Sequence, residues 1–260
     1  MKRINNLETR IHKTLVRIVL LVLIMLFVVN TVGCMKSERF IKIDQNSFPD
    51  DSFRMYVEQH IKSSDGKVSE SQISAINTLE LNGVDNYKGL EYFTNIESIE
   101  LNGCSFSEIS FSNNTKLRRI KFNKKCCVKK IDVSCNLELE ELYCSNIGLE
   151  ELILPEGDKL EHIFCSDNAL STIDVTGCKG LLDLDIYNNS FKEIDISHCL
   201  NLRYFICWKN DLSKLDITNC PKLKKLAQKK TVENATKGNV TNYRNGLDAL
   251  EYDAGTELIW

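Results

Sequence analysis

Histidine is scarce in this sequence, with four in 260 residues, and His12, His60, His162 and His198 are scattered along the chain. No G-x-S-x-G, H-E-x-x-H or glycine-rich phosphate loop occurs, which leaves out the usual signatures of serine hydrolases, zinc peptidases and nucleotide-binding enzymes. Eleven cysteines are present, yet none forms a C-x-x-C pair, the spacing that zinc favours. Only three prolines and 43% hydrophobic residues argue for an ordered chain with a sizeable core. Charge of one sign is also lacking, since the formal net charge is -3. Residues 1–33 carry five basic side chains and one acid, so about -7 falls on the rest, which disfavours nucleic acid as a partner.

What is present begins with a leader. Basic residues up to Arg17 precede the apolar run Ile18–Val29, and Asn30-Thr31-Val32-Gly33-Cys34 follows. A charged segment, about a dozen apolar residues and small residues at a cleavage point make a secretory signal over 1–33. Gly33 directly before Cys34 resembles the lipobox of bacterial lipoproteins, which implies cleavage before Cys34 and lipidation of its thiol. The alternative is an uncleaved single-pass signal anchor, because Leu15 to Val32 is near the lower length limit for a span. Either way the body is expected outside the cytoplasm, held at the cell membrane by its N-terminus, with 34–43 as a tether.

The body is built on a period. A leucine or isoleucine recurs at Ile96, Leu117, Leu139, Leu160, Leu181, Leu202 and Leu223, at intervals of 21 residues with one of 22. Three residues after each stands another apolar residue, and two further on Leu101, Phe122, Cys144, Cys165, Ile186 or Cys207. Apolar positions two apart indicate strand spacing. The later Ile-Asp-Val runs at Ile131, Ile173, Ile194 and, as Leu-Asp-Ile, at Leu215 alternate in the same way. Each unit is therefore expected to be two short extended runs joined by tight turns, and to stack on its neighbours about 4.8 Å apart. A weaker first unit runs through Ile76, Leu79, Leu81 and Leu90.

The unit L-x-x-L-x-C…N-x-L…L-D-V-S-x-C resembles the leucine-rich repeats of bacterial surface lipoproteins, distantly internalin-like. The resemblance spans 76–226 and implies a mostly β, right-handed solenoid with a parallel sheet on its concave face. It also implies an asparagine ladder through Asn168, Asn189 and Asn210, with Cys104 and Lys125 departing from it. Recurrence of Cys144, Cys165 and Cys207 at a core position marks them as buried small hydrophobes rather than ligands. Cys135, Cys178, Cys199 and Cys220 share the later turn, and Cys126-Cys127 lies in the single 22-residue unit.

Ahead of the repeats, 44–75 reads as a small helical cap. Pro49 and Asp50 open a helix whose face is Phe53, Tyr56, Val57 and Ile61, and a second short helix runs through Ile73. The turn between them is half of a calcium loop around Gly66. Ile61 and Gln72 occupy the places of its strong ligands, so a cap is expected and no metal or cofactor. Segment 227–260 is expected to be a C-terminal cap or tail, with strands at Leu247–Tyr252 and Glu257–Trp260.

Alternation turns positions 3, 5 and 7 of each first strand outward. They carry a basic spot at Arg118, Arg119 and Lys121, then acidic residues. Towards the C-terminus they carry Tyr143, Phe164, Tyr187, Tyr204, Ile206 and Trp208. Aromatics on an open face are expected to bind a protein or glycan ligand. His162, near Glu141 and Asp183, is the one acid–base grouping and lacks a nucleophile and a pocket, so no catalysis is expected. Two roles stay open: a cell-surface interaction protein, or a structural scaffold lipoprotein within the bacterial envelope.

Overall fold

A computed structural model of the chain describes residues 38–61, 65–123, 125–228, 240–245 and 248–260. The leader, Cys34 with its lipidation, and the tether up to residue 37 lie outside the described residues. Among the described residues, no helix is long and apolar enough to cross a membrane.

The cap comes first. Strand β1 (Phe40–Lys42) pairs antiparallel with β2 (Lys67–Ser69), and helices α1 (Asp51–His60) and α2 (Glu70–Ser74) flank them. Asp50 caps α1 by accepting the Phe53 N–H at 2.9 Å, and its other oxygen accepts the Asp85 N–H at 2.8 Å. One carboxylate thus ends the helix and pins it to the first coil. Phe48, Phe53 and Phe93 are fully buried, with ring centroids 5.5 Å and 5.7 Å apart along the series. Gly89 has φ 108, and a Cβ there would lie 2.4 Å from Phe48, so the first coil can approach the cap only through a glycine. Ile61 is core, and the Gln72 side chain accepts the Ser69 N–H at 2.8 Å in a capping box. Both residues at the strong calcium-loop places therefore serve the cap.

The strands that follow lie on two sides of the solenoid. They are β3 (Thr78–Asn82), β4 (Ser98–Asn102), β5 (Glu108–Ser110), β6 (Arg119–Phe122), β7 (Lys130–Asp132), β8 (Glu141–Tyr143) and β9 (Glu151–Ile153). After them come β10 (His162–Phe164), β11 (Asp183–Asp185), β12 (Tyr204–Ile206), β13 (Lys214–Asp216), β14 (Val240–Asn245), β15 (Asp248–Asp253) and β16 (Glu257–Ile259). The main sheet has nine strands in the order β3-β4-β6-β8-β10-β11-β12-β15-β14, all parallel except β14, which runs antiparallel to β15. Equivalent residues face each other, as with Ile99 and Ile120 or Ile163 and Leu184. The inward Leu, Ile and Cys positions are buried, each full burial of a large side chain contributing about 1.5–3 kcal/mol.

The second side is less regular. β5, β7 and β9 form one parallel sheet and β13 with β16 another, while the runs at 173–175 and 194–196 form no strand. Leu223 and Leu226 are buried as their spacing requires, but they lie on helix α3 (Pro221–Gln228), not on a strand. Proline at the first helical position, then Lys, Leu, Ala and Gln with no β-branched residue, explains the change. The main-sheet place after β12 is taken by β15, with Ala249 opposite Tyr204.

Both turns of the coil are stitched by side chains. Asn189 accepts the Leu170 N–H at 3.0 Å and donates to the carbonyls of Cys165 and Ile186, both at 3.0 Å. Asn168 and Asn210 repeat the pattern, so the ladder is formed as the repeats imply. The 22-residue unit moves Cys126, not Lys125, into that column; its thiol donates to the Leu101 carbonyl at 3.2 Å. One residue before the column the chain is left-handed in every coil: Gly83, Gly103, Lys125, Asn146, Asp167, Asn188 and Lys209. In the second turn, Asn114 and Asn136 donate to carbonyls of the preceding coil, and Cys178, Cys199 and Cys220 do the same later.

Cys144, Cys165 and Cys207 are fully buried free thiols, and burial pushes Cys144 up to about 12 and the other two well above the ordinary thiol value. Cys135 departs from the expected turn column. It is exposed, because the longer unit puts its neighbour Asn136 in the buried place.

Candidate functional site

The sheet face follows from the pleat. Positions 3, 5 and 7 point away from the core, and in-register stacking arranges them as rows across coils. On β8 and β10, Tyr143 and Phe164 stack with ring centroids 5.2 Å apart and planes 5° from parallel. Phe164 continues to Tyr204 at 6.4 Å. In the adjoining row Tyr187 and Trp208 meet at 4.3 Å, with Lys209 Nζ 5.0 Å and 5.2 Å from the two rings and donating to the Tyr187 hydroxyl. These five aromatics are half-buried, with part of each ring open to solvent.

Ile206 does not join that surface. It is 4% exposed, a correction to its expected place on the open face. β15 pairs alongside with Glu251 opposite Ile206, and Trp208 Nε1 donates to Glu251 Oε2 at 3.1 Å. The outward residues of β15, Ala249 and Glu251, are buried as well, so the last strands of the sheet are closed over.

Charges sort by coil. Arg119 clasps Glu141 through two bonds at 2.9 Å and 2.7 Å, and Tyr143 donates to the same carboxylate at 2.8 Å. The Arg119 bonds, with help from Tyr143, hold Glu141 below the usual carboxylate range. Arg118 pairs with Glu140 and Lys121 with Glu100, so the basic spot is neutralised from adjacent coils. His162 Nδ1 lies 2.8 Å from Asp183, whose second oxygen accepts Arg203 Nε at 3.1 Å. No nucleophile contacts this histidine among the described residues.

Asp185 differs from all of these. It accepts the Tyr187 N–H at 3.0 Å and has no ion pair among the described residues. Burial, with Asp167 and Glu251 adding negative charge nearby, pushes its carboxyl up to about 6. Its place at position 5, between Phe164 and Ile206 in the row, was readable from the repeat; the want of a cation was not. Glu251, and Asp253, which accepts the Lys209 and Asn210 N–H groups at 3.0 Å and 3.1 Å, were also beyond the repeat pattern, since they come from the C-terminal strand that completes the sheet.

On the other side, Asp132, Asp174, Asp195 and Asp216 each accept the N–H two residues on, and Asp132 and Asp174 also the hydroxyl of Ser134 or Thr176. The column is a set of turns. Among the described residues no group of His, Cys, Asp and Glu is arranged to hold a metal ion.

No protein-family model matches the chain, and no curated protein matches it in sequence. Solved structures do. Internalin C2 of Listeria monocytogenes is 18% identical with a TM-score of 0.55, the match covering 71% of this chain and 85% of that one. An internalin, InlF, of the same organism is 22% identical with a TM-score of 0.47, covering 70% and 62%. The functional domain of InlJ, which includes a cysteine ladder, is 20% identical with a TM-score of 0.31, covering 72% and 56%. This chain thus spans less than two thirds of the last two. At such identity the likeness to internalin C2 concerns the fold, a leucine-rich-repeat solenoid.

Proposed function

We propose that this leucine-rich-repeat chain is an exported protein, held at the extracytoplasmic side of the membrane by lipidated Cys34, that binds a protein or glycan ligand on its main-sheet face and does no chemistry. The observation that carries the reading is the aromatic row of the later coils. Tyr143, Phe164, Tyr187, Tyr204 and Trp208 keep ring surface open where a solvent-facing strand is ordinarily polar, and aromatic residues dominate binding hot spots. The leader sequence supports export, and the want of a nucleophile beside His162 among the described residues supports binding over catalysis.

The test is a pull-down with the intact chain against host-surface and envelope extracts. A Tyr143→Ser, Phe164→Ser variant, checked by circular dichroism for an unchanged fold, should lose the ligand at least tenfold. Undiminished capture by the variant overturns the sheet-face reading. Capture of envelope proteins alone makes the protein a scaffold of its own surface. Mass spectrometry of the mature N-terminus tests the anchor, with a diacylglyceryl Cys34 as the expected result.

A further inference from the structure

The back of the solenoid, away from the aromatic row, carries a strand edge that nothing in the described chain uses. In the early coils the back strands bond in a column, the Phe111 N–H to the Asp132 carbonyl at 3.3 Å and the Val133 N–H to the Ile153 carbonyl at 2.9 Å. The next residue in that column is Leu154, whose N–H meets no main-chain carbonyl among the described residues, and Pro155 after it has no N–H to give. No main-chain hydrogen bond joins 150–154 to 171–175, and between these segments the coils part into a cleft of about 1050 Å³. Glu151 and Ile153 bond towards β7, so strand alternation turns the N–H and C=O of Leu152 into the cleft.

The walls add two further features. Half-buried Ile153, Leu154 and Ile173 line it with exposed Leu137, giving apolar surface at strand spacing. Carboxylates also line it: Glu156, Asp174, held below its ordinary range by the Thr176 hydroxyl and N–H, and Glu151, which Lys130 pairs at 2.7 Å. Lys179 and His198 are the basic residues in the lining, and the adjoining groove adds Glu193 and Asp195. With Glu151 paired, the carboxylates Glu156, Asp174, Glu193 and Asp195 still outnumber Lys179 and His198 around the cleft.

We propose that this cleft takes an extended segment of a partner protein, alternating apolar and basic side chains, that adds a strand to β9. Main-chain bonds to the free edge supply the affinity, and the acidic rim selects the sign of charge. The site is separate from the sheet face and stands whether or not the aromatic row binds anything.

The probe is a synthetic peptide of about ten residues alternating lysine and valine, longer than a typical strand of 5–6. It is titrated against the full chain near physiological salt, beside the same peptide with glutamate for lysine and one with a central proline. The expected result is at least tenfold tighter binding of the lysine peptide than of either control, with amide exchange at Leu152 slowed at least tenfold on binding. Glu156→Lys should weaken binding at least fivefold, and Tyr143→Ser should leave it unchanged. No binding, equal binding of the lysine and glutamate peptides, or binding without slowed exchange at Leu152 overturns the proposal. Protection of the Leu152 amide in the free chain also overturns it, since residues of this chain would then fill the cleft.

Discussion

In the coils before Leu160, the turn after the main-sheet strand is filled by Val84, Cys104, Cys126 and Ile147, and the buried asparagines, Asn114 and Asn136, sit in the second turn. After Leu160 the places are exchanged. Asn168, Asn189 and Asn210 fill the first turn, and Cys178, Cys199 and Cys220 the second. The exchange shows what each turn asks of its side chain. The first turn leaves both N–H and C=O groups facing inward, so a carboxamide is used at both ends, as the bonds of Asn189 show. The second turn offers carbonyls alone. Asn136 donates there at 2.8 Å and 3.2 Å while its Oδ1 has no partner among the described residues, and a thiol, a weak donor, does the same work in later coils.

The sharpest way to break this comparison is to delete one asparagine from each turn. Asn189→Ala leaves a buried N–H and several carbonyls without partners and should cost about 3 kcal/mol, against about 1.5 kcal/mol for Asn136→Ala, where only donation is lost. Urea midpoints measure both. Cysteine in place of Asn136 should recover part of the loss and cysteine in place of Asn189 should not. Equal losses at the two sites would mean that the turns do not differ in their demands.

A second contrast concerns the carboxylates of the sheet face. Glu141, in the early coils, is clasped by Arg119, whereas Asp185, in the later coils, is half-buried with no ion pair among the described residues. The folded chain therefore holds a proton on Asp185 more readily than the unfolded chain does. Stability through this group is present at low pH and lost as pH rises from about 4 to about 6. Asp185→Asn should raise the melting temperature near pH 7.5 and leave it nearly unchanged near pH 3.5. Glu141, whose carboxyl is lowered, should behave in the opposite sense: Glu141→Gln destabilises at neutral pH, and the difference fades as pH falls through the carboxylate range. The same sign for both variants would refute the contrast.

The smallest effect is expected at the left-handed turn position. The first coils place Gly83 and Gly103 there, and the 22-residue unit places Lys125 at φ 80. Lys125→Gly should stabilise by about 1 kcal/mol, the typical cost of a side chain in that region. A thermal melt decides it.

Most of the fold was legible because stacking forces identical demands on successive coils, so the period in the sequence is the pitch of the structure. Core positions such as Leu142, Ile163 and Cys165 follow from it directly. What escaped depends on local chemistry that a period does not carry. Leu223 and Leu226 keep the spacing yet lie on a helix, because Pro221 and the lysines around them favour one. A single inserted residue moved Cys126 and Asn136 into columns where counting alone placed Lys125 and Cys135. Ile206 has an outward position by alternation and still loses its solvent, because a strand more than forty residues on packs beside it. The recurring left-handed residue stayed hidden for another reason: glycine, lysine, asparagine and aspartate all fill it, so no shared residue type marks it.

The two sides of the solenoid differ in how they carry load. All strand-to-strand hydrogen bonds lie along the stacking direction, so a pull between the N-terminal cap and the last coil puts them in tension and opens them one coil at a time. On the main sheet this chain of bonds is unbroken from β3 to β15. On the back it stops after β9 and resumes only where β13 pairs with β16, and the coils between are joined chiefly through the turns. Under axial tension the back therefore yields first, and the molecule bends open over the coils between β9 and β13 as a flexure whose spring is the main sheet.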